Sequence, residues 1–159
     1  MIVKQILDED FVNYKKPSMF IGFPSCTFKC EIECGEHCCQ NSALAQSPNI
    51  EIGVDNIVQR YLSNPITSAI VCGGLEPMDS FEDLWKLIFH LRVKGCTDDV
   101  VIYTGYYENE TPQEYLNRLS LVPNIIIKFG RFKPNEEKHY DNTLGVLLAS
   151  NNQYARRIS

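Results

Sequence analysis

No apolar run in this chain approaches the roughly 20 residues that a bilayer-spanning helix needs. The N-terminal Met1-Ile2-Val3-Lys4-Gln5-Ile6 also lacks the long apolar stretch of a secretory signal. Neither membrane insertion nor export is therefore expected, and the chain reads as cytoplasmic. Basic clusters are equally scarce: no Lys/Arg group exceeds a pair, the net charge is −5 and the isoelectric point is near 5.2. Contacts to a phosphate backbone require a basic face, so nucleic acid is not an expected partner. Histidine is limited to three residues, and no His/Asp/Ser constellation suggests acid–base or nucleophilic catalysis by side chains. Internal repeats and low-complexity segments are absent. At 159 residues and 44% hydrophobic content, one compact domain is expected, with no room for a second.

Cysteine, by contrast, is concentrated. The segment from Cys26 to Cys39 holds Cys26, Cys30, Cys34, Cys38 and Cys39, five of the chain's seven cysteines. Thiolates at spacings of three to four residues on one loop can converge on a single centre, and soft sulfur ligands select zinc, copper(I) or an iron–sulfur cluster. Disulfides are less expected in a reducing compartment and in a chain with enough apolar residues to build its own core. Tetrahedral zinc is the competing reading, with four cysteines lying together and His37 as a further ligand. Cys72, on a buried strand, reads as core, and Cys96, after a helix end, as incidental.

The apolar pattern predicts alternating strands and helices. Residues 1–18 form a lead-in strand (Ile2 to Leu7) and a polar loop, and residues 19–159 form the core. Met19 to Phe23, between Pro17 and Pro24, fits a strand buried on both faces, and the cysteine loop leaves from its C-terminal end. Asp55 is placed to cap a helix with the stripe Ile57, Val58, Tyr61 and Leu62. The strand Ser68 to Cys72 runs into Gly73-Gly74-Leu75-Glu76-Pro77. Ser80 and Asp83 read as a capping box for a helix carrying Leu84, Leu87, Ile88 and Leu91, with Gly95 as its stop. Val100 to Tyr103 is the next strand, and Thr111-Pro112-Gln113-Glu114 reads as N-cap, N1 and N3 of a helix with Tyr115, Leu116 and Leu119. Ile125 to Phe129 and Leu144 to Leu148 complete the strands, separated by a polar loop from Arg131 to Thr143. His90 and His139 read as structural or solvated, and Lys15-Lys16 and Arg156-Arg157 as solvated pairs.

Alternation of this kind implies parallel βαβ units. A closed eight-stranded barrel needs at least about 200 residues, so the expectation is an α/β fold: an open partial (β/α) barrel of five to six mostly parallel strands, uncovered on one side.

Cys26-x3-Cys30 and a third cysteine after the first core strand, together with the later Gly-Gly-x-Glu-Pro turn, resemble the radical S-adenosylmethionine (SAM) superfamily. Tyr103-Thr104-Gly105-Tyr106, Gly130-Arg131-Phe132 and the tail from Ala149 to Ile158 narrow the likeness to the small activating enzymes of anaerobic ribonucleoside-triphosphate reductase, over residues 19–159. The superfamily spacing is Cys-x3-Cys-x2-Cys with an aromatic residue before the third cysteine. Here Cys34, Cys38 and Cys39 all stand at other distances, and counting leaves the third ligand open among them. These enzymes often carry a short polar, Asn-containing segment directly after the third cysteine, and Cys39-Gln40-Asn41-Ser42 is similar to it. That likeness favours Cys26, Cys30 and Cys39, with Cys38 where the aromatic would stand.

The resemblance implies a [4Fe–4S] cluster on those cysteines. It also implies SAM bound by Gly73, Gly74, Glu76, Pro77, Thr104, Gly105, Ser150 and Asn152. The implied reaction is reductive cleavage of SAM to a 5′-deoxyadenosyl radical, which takes a hydrogen from a glycine of the reductase, with electrons from a donor such as flavodoxin or ferredoxin. Cluster and SAM carry the chemistry, and no catalytic side chain is implied. Arg131 and Phe132 are the expected anchors for the partner, since arginine and aromatics dominate interface hot spots.

Overall fold

Residues 1–159, all described by a computed structural model, are built around a sheet whose middle consists of the apolar runs expected to be buried strands. In chain order the elements are β1 (Ile2–Val3), β2 (Gln5–Asp10), β3 (Ser18–Phe23), α1 (Lys29–Cys34), α2 (Ser42–Gln46), β4 (Ile50–Glu51), α3 (Val54–Leu62), β5 (Ala69–Gly74), α4 (Phe81–Val93), β6 (Asp99–Tyr103), α5 (Gln113–Ser120), β7 (Ile125–Phe129), β8 (His139–Asp141), β9 (Val146–Leu148) and β10 (Tyr154–Arg157). The central sheet has six strands in the order β10-β7-β6-β5-β3-β2. Its inner four are parallel, and its two edges, β2 and β10, pair antiparallel with β3 and β7. The chain is thus mixed α/β with a mostly parallel central sheet. No helix is long and apolar enough to cross a membrane.

Strand alternation divides the core in two. Met19, Ile21, Ile70, Cys72, Val100, Ile102, Ile125 and Ile127 face α3, α4 and α5, whose Ile57, Val58, Leu84, Leu87, Ile88, Leu91 and Leu119 are buried against them. The opposite face, Ala69, Val71, Val101 and Ile126, carries a smaller cover of Tyr14, Leu144 and Leu148, with Val146 packed against it. Cys72 is core, as expected.

That second face explains a departure from the expected strand list. Residues 144–148 do not join the sheet: Val146–Leu148 pairs with His139–Asp141 as a separate hairpin, whose first strand lies inside the stretch expected to be a polar loop. The hairpin lends Leu148 to the uncovered face, and the sixth sheet position goes to β10. β10 is polar and exposed because it is an edge, and its charged residues suit that place. The N-terminal run splits too. Lys4 interrupts it, donating its backbone N–H to Gly22 and its ammonium to the Ser47 carbonyl (2.7 and 2.5 Å), so β1 turns away to pair with β4.

Several caps fall differently from expectation. Gly53, not Asp55, is the N-cap of α3; Asp55 lies in the first turn and pairs with His90 (2.9 Å). Ser80 precedes α4 without a capping bond, because residues Pro77–Ser80 already form a 3-10 turn capped by Glu76. Pro112 takes the N-cap of α5, while the Thr111 hydroxyl turns back to the Tyr107 carbonyl (3.2 Å). Gly95 does end α4. With φ +79° it closes a Schellman motif in which Gly95 N–H bonds Arg92 O and Cys96 N–H bonds Leu91 O. The basic pairs are not simply solvated: Lys16 and Arg157 converge on buried Asp99 at 2.5 and 2.7 Å, and Arg156 pairs with Glu108. The ring of His139 has its Nδ1 buried without a hydrogen-bond partner.

Candidate metal centre and adjoining cavity

β3, β5, β6 and β7 all end at one edge of the sheet, where parallel α/β folds collect ligands. A cavity of about 390 Å³ opens there, within the range of small-molecule sites. Its walls bring together Cys26, Cys30 and Cys39 of the loop, Gly73, Gly74 and Glu76 at the end of β5, Thr104 and Gly105 after β6, and Lys128 on β7. Cys34 and Cys38 do not line it. The thiol of Cys34 is directed to the carbonyls of Glu31 and Glu36 (3.7 and 3.1 Å), and that of Cys38 to the Cys30 carbonyl (3.5 Å). Pro77, Ser150 and Asn152, grouped with the site by resemblance, are not among the wall residues either, although their neighbours Ala149 and Gln153 are. Ser150 accepts from Lys133 N–H, and Asn152 donates to Arg131 O (2.9 Å), so both brace the turn at Gly130-Arg131 instead.

The loop is fixed at both ends. At its start, the Glu76 N–H donates to Ser25 O (2.7 Å), and Thr27 N–H donates to Asp79 (3.0 Å). Beyond Cys39, Asn41 Nδ2 reaches Gly74 O at 2.6 Å. Leu44 of α2 packs where a Cβ on Gly74 would stand, 2.7 Å from that position. The segment Cys39-Gln40-Asn41 is therefore docked on the Gly-Gly turn, which accounts for Cys39 reaching the cavity. The helix between these anchors, α1, is held by Arg131. Its guanidinium is almost wholly buried, pairs with Glu33 of α1 and with Glu110, and lies 4.4 Å from the Tyr107 ring centre. This departs from the expectation for Arg131, since a guanidinium 6% exposed and paired with two carboxylates presents almost no surface for a partner to dock on. Phe132 is part of the cavity wall.

Breaking a buried ion pair by removing one partner costs about 3–5 kcal/mol, less where the partners keep contact with water. Glu33 and Glu110 are about one-third exposed. Arg131→Ala is thus expected to destabilise the protein by about 2 kcal/mol. It should also speed amide exchange in residues 29–34 ahead of the sheet, as read by hydrogen–deuterium exchange.

Glu76 is the buried anion of the site. One carboxylate oxygen accepts from Thr104 Oγ1 (2.7 Å) and Met78 N–H (3.0 Å), the other from Gly105 N–H (2.7 Å). Burial pushes its pKa up, and these three donors offset part of that rise. A carboxylate offers about four lone-pair directions, so one position stays open. The thiols, too, are affected by burial: the Cys26 pKa is pushed up to about 12, and Cys30 is raised as well. A metal taken up by these thiols would have to displace their protons.

Lys128 went unnoticed in the sequence because it sits in the apolar run Ile125–Phe129; its signal is being the one charge there. The strand ladder sets it opposite Tyr103, on the face shared with Ile126. Its ammonium makes one hydrogen bond, to Gly130 O at 2.5 Å, and has no carboxylate at ion-pair distance. Burial lowers its pKa to about 7, against the opposing charge of Glu76. A lysine whose folded pKa is depressed binds fewer protons in the native state than in the unfolded chain between about pH 7 and its ordinary value near 10.4. Its penalty to folding therefore shrinks as pH rises through that window. Lys128→Met should be more stable than wild type at pH 7, with the gap narrowing by pH 9, as read from urea unfolding of the metal-free proteins.

No three His, Cys, Asp or Glu side chains are gathered closely enough to hold a metal ion. The donors nevertheless suit an iron–sulfur group. Three thiols face one cavity, and Cys30 is near enough to both Cys26 and Cys39 for their charges to interact. All seven cysteines are free. Compared with known families, residues 19–154 match the model of one described as "4Fe-4S single cluster domain". No curated protein matches the chain.

Proposed function

The chain belongs to the 4Fe-4S single cluster domain family, and from that premise we propose that it is a radical SAM activating enzyme. In this reading the fold is an open partial (β/α) barrel. Cys26, Cys30 and Cys39 hold a [4Fe–4S] cluster, SAM occupies the adjoining cavity, and the product is a glycyl radical on anaerobic ribonucleoside-triphosphate reductase. The observation that carries the proposal is the meeting of three loop cysteines and the Gly-Gly-Leu-Glu turn on one cavity at the ends of the parallel strands.

Bound there, the cluster would supply one electron to SAM and so the 5′-deoxyadenosyl radical that abstracts the partner's hydrogen. The chain's own residues bind and shield. Glu76, fixed by Thr104, Gly105 and Met78, offers its open lone-pair direction to an ammonium group. Gly73 stands where a Cβ would crowd Phe20 and Tyr103 at 3.3 Å, which keeps the β5 end bare. Tyr106, Phe132 and Phe20 give the cavity aromatic walls that keep water from a reactive species. Val12 and Leu147, both exposed, edge its mouth, and an apolar rim around an open cavity suits a polypeptide loop better than a freely diffusing small substrate.

The test is electron paramagnetic resonance on the anaerobic protein mixed with a glycyl-radical reductase, SAM and reduced flavodoxin or ferredoxin. A glycyl-radical doublet on the reductase is expected. Cleavage of SAM without that signal would assign the protein to another radical SAM substrate.

A further inference from the structure

Two thiols of the cysteine loop stay outside the cavity and have no part in the chemistry proposed for it. α1 ends at Cys34, and Gly35, in the left-handed region at φ +74°, caps it by donating its N–H to Glu31 O (2.9 Å). The exposed turn Gly35-Glu36-His37 then carries the chain back over the helix. As a result Cys38 Sγ lies 3.5 Å from Cys30 O, and Cys34 Sγ lies 3.7 Å from Glu31 O. Those two carbonyls belong to neighbouring residues of α1, so the two thiols meet on one side of the helix end and are near enough to interact directly. Cys30, whose thiol faces the cavity, is the next neighbour of Cys38. Both Cys34 and Cys38 are partly exposed and free. Packing alone does not call for a pair of thiols at such a place, since cysteine used as a small hydrophobe is buried, as Cys72 is. Nor do they make a metal site, because no third donor is gathered with them. What remains to two accessible thiols in contact is the exchange of two electrons for a disulfide.

We propose that Cys34 and Cys38 are a redox-active dithiol, a covalent modification site whose oxidant is a low-molecular-weight disulfide. The sulfur of one cysteine, giving up its proton, attacks the small disulfide; that S–S bond breaks, a mixed disulfide forms and one small thiol leaves. The sulfur of the other cysteine then attacks the mixed disulfide, closes the Cys34–Cys38 bond and releases the second small thiol. The protein loses two electrons and two protons, and the small disulfide gains both as it becomes two thiols. The new bond ties residue 38 to the end of the helix that bears Cys30, while Cys26, Cys30 and Cys39 stay thiols. This holds whether or not SAM occupies the cavity.

The experiment is thiol mapping of the full-length, metal-free protein after anaerobic incubation with glutathione disulfide. Cleavage after Glu31, Glu33 and Glu36 separates Cys30 and Cys34 from the peptide carrying Cys38 and Cys39, and fragmentation between those two tells them apart. In the folded protein two of the seven thiols should disappear into a Cys34–Cys38 bond that dithiothreitol reopens. In urea, where the turn at Gly35 is lost, the products should be mixed. Cys34→Ser cannot close the bond and should stop at the mixed disulfide on Cys38, a gain of one glutathione per chain. A folded protein that keeps all seven thiols, or that joins Cys38 to Cys30 or Cys39 instead, overturns the proposal. So does a Cys34→Ser variant that closes another internal bond as readily as wild type. Should that variant misfold, the wild-type map decides by itself.

Discussion

Cys26→Ala, Cys30→Ala and Cys39→Ala, each made alone, are expected to leave folded proteins that retain almost no iron after anaerobic reconstitution, while Cys34→Ala retains about four irons. The expectation comes from position. The first three thiols share the cavity wall, whereas Cys34 is directed at the carbonyls of its own helix end. None of the loop cysteines is fully buried, so the substitutions leave no core void and folding should survive. Iron analysis with the absorbance near 400 nm checks the result. Retention by Cys39→Ala together with loss in Cys34→Ala would move the third ligand to Cys34.

The second large effect belongs to Glu76. Glu76→Gln replaces an acceptor that takes three donors by an amide whose NH₂ must face one of them. Leaving a buried donor unpaired costs about 1–3 kcal/mol. The variant should therefore lose at least about tenfold in SAM affinity and some stability, yet keep its iron, because the hydrogen bonds of the Glu76 carboxylate go to Thr104, Met78 and Gly105 and not to a cysteine. Calorimetry and iron analysis on one sample separate the two. Gly74 is a less specific probe than its place in the turn suggests. Its φ is +79°, and a Cβ there would lie 2.7 Å from Leu44 and 2.9 Å from the backbone of Gly22. Gly74→Val should cost well over 1 kcal/mol from backbone strain alone. It should also disturb the Cys39-Asn41 segment that Leu44 and Asn41 anchor, so that iron and SAM binding fall together.

The range of each interaction along the chain decides which features were legible in the sequence. Met19 to Phe23, Ala69 to Cys72, Val100 to Tyr103 and Ile125 to Phe129 were legible because strands buried on both faces need continuous apolar runs. The sixth strand was not, because an edge strand needs little apolar content and Tyr154-Ala155-Arg156-Arg157 resembles a polar tail. The Leu144 to Leu148 run looked like a sheet strand because burial, which it has, does not say against what. Cys26 and Cys30 stand out by local spacing, and Gly73, Gly74 and Glu76 only by the resemblance of their turn to that of the radical SAM superfamily. The roles of Arg131 and Asn41 do not, since they depend on partners 98 and 33 residues away in the chain. Arg131 suggests a partner anchor for the same reason: sequence gives its chemistry but not Glu33 and Glu110 beside it. Lys128 was hidden inside a pattern that burial alone explained.

Whether the cysteine loop and the cavity form one cluster-and-SAM site is tested most directly by anaerobic reconstitution, followed by reduction in the presence of SAM. The expected result is a brown protein with about four irons per chain that, once reduced, converts SAM to methionine and 5′-deoxyadenosine. A colourless protein that retains zinc on the loop and leaves SAM intact would contradict the proposed function and make the cysteine loop a structural zinc site.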